Sequence, residues 1–183
     1  RAYGTLELLF DNLGAPVLLI PGNHDVPDEM ARRFAHEPFH VGGTRVLGRW
    51  AIVMLATWFA EAEDGEGRLG DDELKRLEIA LEAQRDRHVL VCLHHQPMPM
   101  EAAGLDALGL EDADRFMSLI AKHPHVRAVV WGHAHQAFDV FRGNVRYLCT
   151  PSTCMQFKPR DPGFVIDDRP PGYRVLDLHD DGG

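Results

Sequence analysis

Apolar positions along this chain of 183 residues recur with two periods, and the alternation between them sketches the fold. Tyr3, Leu6, Leu9, Phe10 and Leu13 fall at helical spacing before Gly14, so Arg1 to Leu13 reads as a helix. Pro16 to Ile20 is a short apolar run that predicts a buried strand, and it delivers Gly22-Asn23-His24-Asp25 at its C-terminal end. A short helix is expected over Asp28 to Ala35, and Trp50 to Ala56 reads as another strand. The Glu- and Gly-rich stretch Glu61 to Gly67 then reads as a solvated loop. Leu69 to Leu74 opens a helix with early acids, a Gly70 cap, and Leu69 and Leu74 spaced as a hydrophobic staple; Leu74, Leu77 and Leu81 supply its core face.

His88 to Leu93 predicts the next strand, ending in His94-His95-Gln96-Pro97. Glu111 to Lys122 predicts a helix with Phe116, Met117 and Ile120 inward, closed by Pro124. Val126 to Trp131 is a strand that runs into Gly132-His133-Ala134-His135. Asp139 to Arg142 and Val145 to Cys149 flank Gly143-Asn144, a hairpin signal, and Gly163 to Ile166 and Tyr173 to Leu178 are expected as further short strands. Trp50, Trp58 and Trp131 sit in or beside apolar runs and read as core. The whole is an α/β pattern with strand, helix, strand alternation first and a β-rich end.

Composition narrows the class. With 45% hydrophobic and 26% charged residues the chain fits one globular domain, residues 1–183. No apolar run approaches the ~20 residues of a membrane span and no signal segment opens the chain, so a cytoplasmic protein without a membrane partner is expected. The first residue is not Met and the chain opens inside a helix, which reads as a missing upstream part. A formal charge of -9 argues against long nucleic acid as a partner, while a small anion stays accessible through bound cations. Cys92, Cys149 and Cys154 are odd in number and are expected as thiols.

The chemistry sits where three predicted strands end. Asn23 and His24 follow one, His94 and His95 another, His133 and His135 a third, and in open α/β sheets such loops gather at the carboxyl rim. Imidazole and amide oxygen suit zinc, iron, manganese or cobalt, whereas calcium wants more oxygens. His133 and His135 flank one residue, so in an extended loop both rings can face the same way and reach adjacent ions. Ser152, Thr153 and Cys154 lack the elbow of an activated nucleophile. Gln156, Phe157 and Lys158 are candidates for a substrate rim, with a ring to stack on a base and a cation near phosphate.

Pro21-Gly22-Asn23-His24-Asp25, His94-His95 before Pro97, and Gly132-His133-Ala134-His135 together resemble the calcineurin-like metallophosphoesterase signature in its usual order. Thr150 to Pro159 and Pro171-Gly172-Tyr173-Arg174 look like bacterial class III cyclic-AMP phosphodiesterases. The resemblance implies a four-layer α/β/β/α sandwich, N-terminally truncated, with residues 150–183 lining the substrate rim. It implies two metal ions, one held by Asn23, His94 and His133 and the other by His135. His24 would be the catalytic histidine, with Asp25 orienting its ring. Asn23, His24, His135, Gln156, Phe157 and Lys158 would meet the substrate. The implied reaction is two-metal hydrolysis of 3′,5′-cyclic AMP to 5′-AMP, with a small-molecule cyclic nucleotide as partner and a homodimer left open.

One departure qualifies this. The family's Asp-x-His and Gly-Asp motifs, which include the aspartate bridging both ions, do not occur in this sequence. Two cations ~3.5–4 Å apart repel strongly without an anionic bridge, so this chain alone is expected to hold at best one ion weakly and to turn over little. Action on another phosphodiester or a phosphomonoester, and a non-catalytic degenerate relative, are the alternatives.

Overall fold

Three parallel strands whose side chains alternate between two covered faces organise the molecule. In the computed structural model, which describes all 183 residues, β4 (Trp50–Met54), β5 (His88–Leu93) and β6 (Val126–Trp131) run side by side. Ala51, Val53, Val89, Val91, Val129 and Trp131 point to one face. There α3 (Gly70–Ala83) brings Leu74, Leu77 and Leu81, and α5 (Ala113–Ala121) brings Phe116 and Ile120. Trp50, Ile52, Met54, Leu90 and Ala128 point to the opposite face. Strands covered on both faces need apolar residues at every position, which is why they read as continuous runs. Parallel β8 (Val145–Cys149) and antiparallel edges β7 (Phe138–Arg142) and β3 (Gly43–Leu47) complete a six-stranded sheet ordered β3-β4-β5-β6-β8-β7.

A second sheet pairs β1 (Val17–Leu19) in parallel with β2 (Phe39–Val41). Leu18 and Ile20 pack on the second face of the large sheet. Val17 and Leu19 turn the other way, toward a cluster formed by Phe34, Phe39 and Met30 of α2 (Pro27–Arg33). The layers are therefore helix, large sheet, small sheet, helix, the α/β/β/α sandwich expected. No helix is long and apolar enough to cross a membrane.

Several elements differ from the sequence reading, each for a physical reason. Helix α1 (Ala2–Phe10) rests only Tyr3 and Leu6 on the Phe34 cluster, while Leu9, Phe10 and Leu13 stay exposed. Strands β2 and β3 were not predicted: β2 is three residues long, and β3 is an edge strand whose side chains are largely exposed, so neither carries an apolar run. The short α4 (Ala103–Asp106) is stitched by the Asp106 carboxylate, which accepts from Met100 N and Ala102 N. The strands expected over Gly163 to Ile166 and Tyr173 to Leu178 do not form; a single Phe157–Ile166 bridge is all the ladder the tail makes.

That tail keeps the alternation but not the pairing. It lies across the second sheet face, where Leu178 packs with the Trp50 cluster. Its carbonyls accept from side chains of the sheet instead of a neighbouring strand: Trp50 Nε1 donates to His179 O (2.8 Å) and Arg127 Nε to Gly182 O (2.9 Å). Arg174 ties back to Phe138 O and Cys149 O.

Gly70 is not the cap of α3. It is the first helical residue, at φ +69°, and the N–H groups of Leu69 and Gly70, which have no partner within the helix, are satisfied by the sequence-distant Asp112 carboxylate (3.1 and 2.8 Å). Asp112 also begins α5, so one carboxylate locks together the starts of the two core helices. Asp112→Ala should lower stability by about 1–2 kcal/mol, read as a shift in the urea midpoint, and an unchanged midpoint would show that water replaces the cap.

Candidate metal centre

The first strand delivers its loop in a fixed turn. Gly22 N donates to Asp25 Oδ2 and Tyr3 Oη donates to Asp25 Oδ1, both at 2.8 Å. Asp25 was expected to orient the His24 ring; instead both of its oxygens are engaged by Gly22 and Tyr3, and it makes no hydrogen bond to His24. The carboxylate fixes the loop, and His24 stands exposed beyond it. Gly22 is obligatory for another reason: a Cβ there would lie 2.7 Å from the His94 ring.

Asn23, His94 and His133 converge. Asn23 Oδ1 lies 3.0 Å from His94 Nε2, and His133 Nδ1 lies 3.3 Å from that same nitrogen. Gly132 N donates to His94 O, which binds the loop after β6 to the loop after β5. Burial first, then the neighbouring His95, His133, His135 and His24 rings, push His94 down to about 2. Burial, then the same kind of crowding by His95, His135 and His24, lowers His133 to about 3. Both imidazoles are therefore neutral near pH 7, with lone pairs crowded together. An amide oxygen and two neutral imidazole nitrogens at this spacing fit a borderline divalent ion, and one such ion would relieve the crowding.

His95 belongs to the same buried group as His94 and His133, with ligand atoms within 4.8 Å of one another. Its nitrogens are already spent. Nε2 must donate to Gly65 O (3.0 Å), because a carbonyl only accepts, so Nδ1 accepts from the Thr57 hydroxyl (2.7 Å). A Cβ on Gly67 would come within 2.3 Å of the His95 ring, and one on Gly65 within 2.8 Å of Asn23 Nδ2. His95 is thus a buried clasp that presses the 57–67 loop against Asn23. Burial lowers its basicity to about 4, opposed by the Gly65 hydrogen bond and by Glu66.

His133 and His135 are not in extended backbone as expected. Both adopt left-handed conformations, φ 59° and 50°, which β-carbon crowding disfavours and which cluster at functional sites. The kink splits the two rings. His133 turns toward His94 and His95, whereas His135 stacks on Phe157 with ring centroids 4.9 Å apart and an interplanar angle of 19°. Its Nδ1 donates to Met155 O (2.9 Å), leaving Nε2 free.

On that side the expected substrate rim divides. Gln156 is buried: its amide accepts from Ser152 N and donates to Ser152 O and Pro170 O, so it ties the loop to the tail and offers no donor to a ligand. Phe157 is half-buried and already stacked on His135. Lys158 is exposed and its ammonium makes no ion pair. Cys149 donates its thiol to Gly132 O, and burial pushes it and Cys92 up to about 12, so both are inert thiols.

Within the 57–67 loop, Glu61 to Gly67 was read only as a solvated acidic stretch. Gly65 and Gly67 carry its function, yet nothing in their spacing marks them; the glycines serve contacts with residues distant in sequence. Trp58 was read as core and is 36% exposed on this loop, unlike Trp50 and Trp131 at 4% and 1%.

The chain is similar to several known proteins. The family model described as calcineurin-like phosphoesterase matches residues 2–137. A 3′,5′-cyclic adenosine monophosphate phosphodiesterase CpdA of Pseudomonas aeruginosa is 38% identical over 182 residues, covering 99% of this chain and 65% of that protein. The CpdA of Escherichia coli K12 is 37% identical over 169 residues, covering 92% and 61%. The chain thus spans somewhat less than two thirds of the length of these curated relatives. Among solved structures, a dimetal phosphatase from Danio rerio superposes with a TM-score of 0.65 at 13% identity, covering 82% of this chain and 65% of that one. TT1561 of Thermus thermophilus gives 0.59 at 16% identity, covering 81% and 68%. Those two likenesses establish the sandwich; the family match over most of the chain places the protein in the calcineurin-like phosphoesterase family.

Proposed function

We propose that the protein hydrolyses the phosphodiester of 3′,5′-cyclic AMP to give 5′-AMP, using two metal ions drawn from iron, manganese, zinc and cobalt. The convergence of Asn23 Oδ1, His94 Nε2 and His133 Nδ1 within 3.0–3.3 Å is the observation that carries this reading. The substrate choice rests on the relatives named as 3′,5′-cyclic adenosine monophosphate phosphodiesterases.

Asn23, His94 and His133 would hold one ion, and the free Nε2 of His135 would reach the other. Bound ions would supply Lewis-acid charge opposite the phosphoryl oxygens and lower the cost of deprotonating water. In the proposed reaction the oxygen of water joins phosphorus as the P–O3′ bond breaks, the water gives up a proton to solvent, and protonated His24 hands its proton to the departing O3′. Asn23 and His24 are held at this position by the Asp25 turn behind them. His135 is held by Phe157 and Met155, and Lys158 stands on the same rim for a phosphate oxygen.

Among the converging donors there is no carboxylate. These residues fit one ion and offer a single donor to a second, which favours a second reading: a relative that binds a phosphate ligand without turning it over. Side-by-side rates on 3′,5′-cyclic AMP, 2′,3′-cyclic AMP and p-nitrophenyl phosphate with Mn²⁺, for protein expressed from its full coding sequence, separate the readings. The proposal predicts the highest kcat/KM on 3′,5′-cyclic AMP. A preference for either of the others would move the activity to another phosphate ester, and metal binding with no turnover of any would leave the binding protein.

A further inference from the structure

A cavity of about 300 Å³ opens beside the metal centre, and its lining joins Asn23 and His24 to Trp58, Phe59, Glu63 and Asp64 of the 57–67 loop. Its lining is of two kinds: Asn23 and His24 belong to the candidate reaction site, while the 57–67 loop contributes aromatic rings and acids that repel an anionic phosphate.

The loop is built, not slack. His95 and Thr57 hold it from below, and Glu66 accepts from Glu63 N and Asp64 N, so its turn is closed by its own carboxylate. Phe59 is covered by the Arg68 guanidinium at 4.3 Å, which leaves Trp58 as the aromatic surface with no stacking partner. The Glu63 and Asp64 side chains are exposed, and neither forms an ion pair. A partly exposed indole beside two free carboxylates, on a loop pinned to the reaction site, suits a flat, neutral group that bears N–H donors.

We propose that this cavity is the nucleobase subsite, with Trp58 stacking on the base and Glu63 or Asp64 accepting from its exocyclic amine. It displaces the sequence-based assignment of base stacking to Phe157, whose ring is already paired with His135. The proposal rests on the cyclic-nucleotide reading above and deepens it: the subsite selects amino-bearing bases over uracil.

The test uses the Mn²⁺-loaded protein from its full coding sequence, with ribose 3′,5′-cyclic phosphate, the same diester without a base, as the control substrate. Trp58→Ala should raise KM for 3′,5′-cyclic AMP on the order of tenfold, leave kcat within about twofold, and leave the control substrate unchanged, while Trp58→Phe restores most of the loss. Glu63→Gln combined with Asp64→Asn should lower the preference for cyclic AMP over cyclic UMP several-fold. Independently of turnover, 5′-AMP should quench the tryptophan emission and ribose 5-phosphate should not, and the quenching should vanish in Trp58→Phe. Equal losses on both diesters, or quenching that survives in Trp58→Phe, would overturn the subsite while leaving the phosphodiesterase reading intact. Turnover of the control diester with none of any cyclic nucleotide would remove that reading and this subsite with it.

Discussion

His94→Ala should abolish measurable metal binding and, with it, turnover. Its Nε2 is the atom that both Asn23 Oδ1 and His133 Nδ1 approach, so no pair of the remaining donors replaces it. Loss of outer-sphere partners alone weakens metal sites ~10–100-fold, and removal of the central ligand should exceed that range. The 183-residue chain should take up close to one equivalent of Mn²⁺ in equilibrium dialysis, and the variant none. His95→Gln makes the contrasting variant. Its amide can still donate to Gly65 O but cannot reproduce the ring, so the protein should lose stability first and metal affinity only modestly. If His94→Ala kept its metal while His95→Gln lost it, the two adjacent imidazoles would have to exchange roles.

Acid should unfold the metal-free protein well before its carboxylates are titrated. In the unfolded chain histidine takes a proton near pH 6.5, whereas burial holds His94, His95 and His133 to about 2, 4 and 3. Between those values the unfolded chain binds more protons than the folded one, so stability is full above pH 6.5 and falls as the pH drops toward the folded values. At pH 5 one such ring costs on the order of 2 kcal/mol, and three share the site. The urea midpoint of metal-free protein should therefore drop steeply between pH 7.5 and 5. Bound metal should flatten that slope, because it occupies the nitrogens that protons would take. Equal midpoints at the two pH values would mean that the site opens to water and protonates without unfolding.

The sequence displayed the rim of the site more clearly than its interior. Three apolar runs ending in histidine loops were legible because β1, β5 and β6 are buried strands with polar C-terminal ends, and a buried strand has no other way to be written. The division of labour between His94 and His95 was hidden, since the groups that occupy His95, Thr57 and Gly65, come from another loop. The left-handed backbone at His133 and His135 was equally hidden, because Gly132-His133-Ala134-His135 contains one glycine and the kink falls on the histidines. In the tail, alternation from Tyr173 to Leu178 was real, but the partner was a sheet face held through Trp50 and Arg127, and period alone does not distinguish a face from an edge. Acidic composition concealed the 57–67 loop, whose glycines matter for the rings they admit.

The most direct test of the central claim is Mn²⁺-dependent hydrolysis of 3′,5′-cyclic AMP by the protein from its full coding sequence, with His24→Ala measured beside it at equal metal content. The account predicts turnover that requires the metal and a kcat lower by ~10²–10⁴-fold in the variant, since in the proposed reaction His24 delivers the proton to the leaving oxygen and does not bind the metal. Turnover unchanged in His24→Ala, or loss of turnover together with loss of metal, would contradict the role assigned to that residue; cyclic AMP left intact by fully metallated wild-type protein would contradict the assigned reaction.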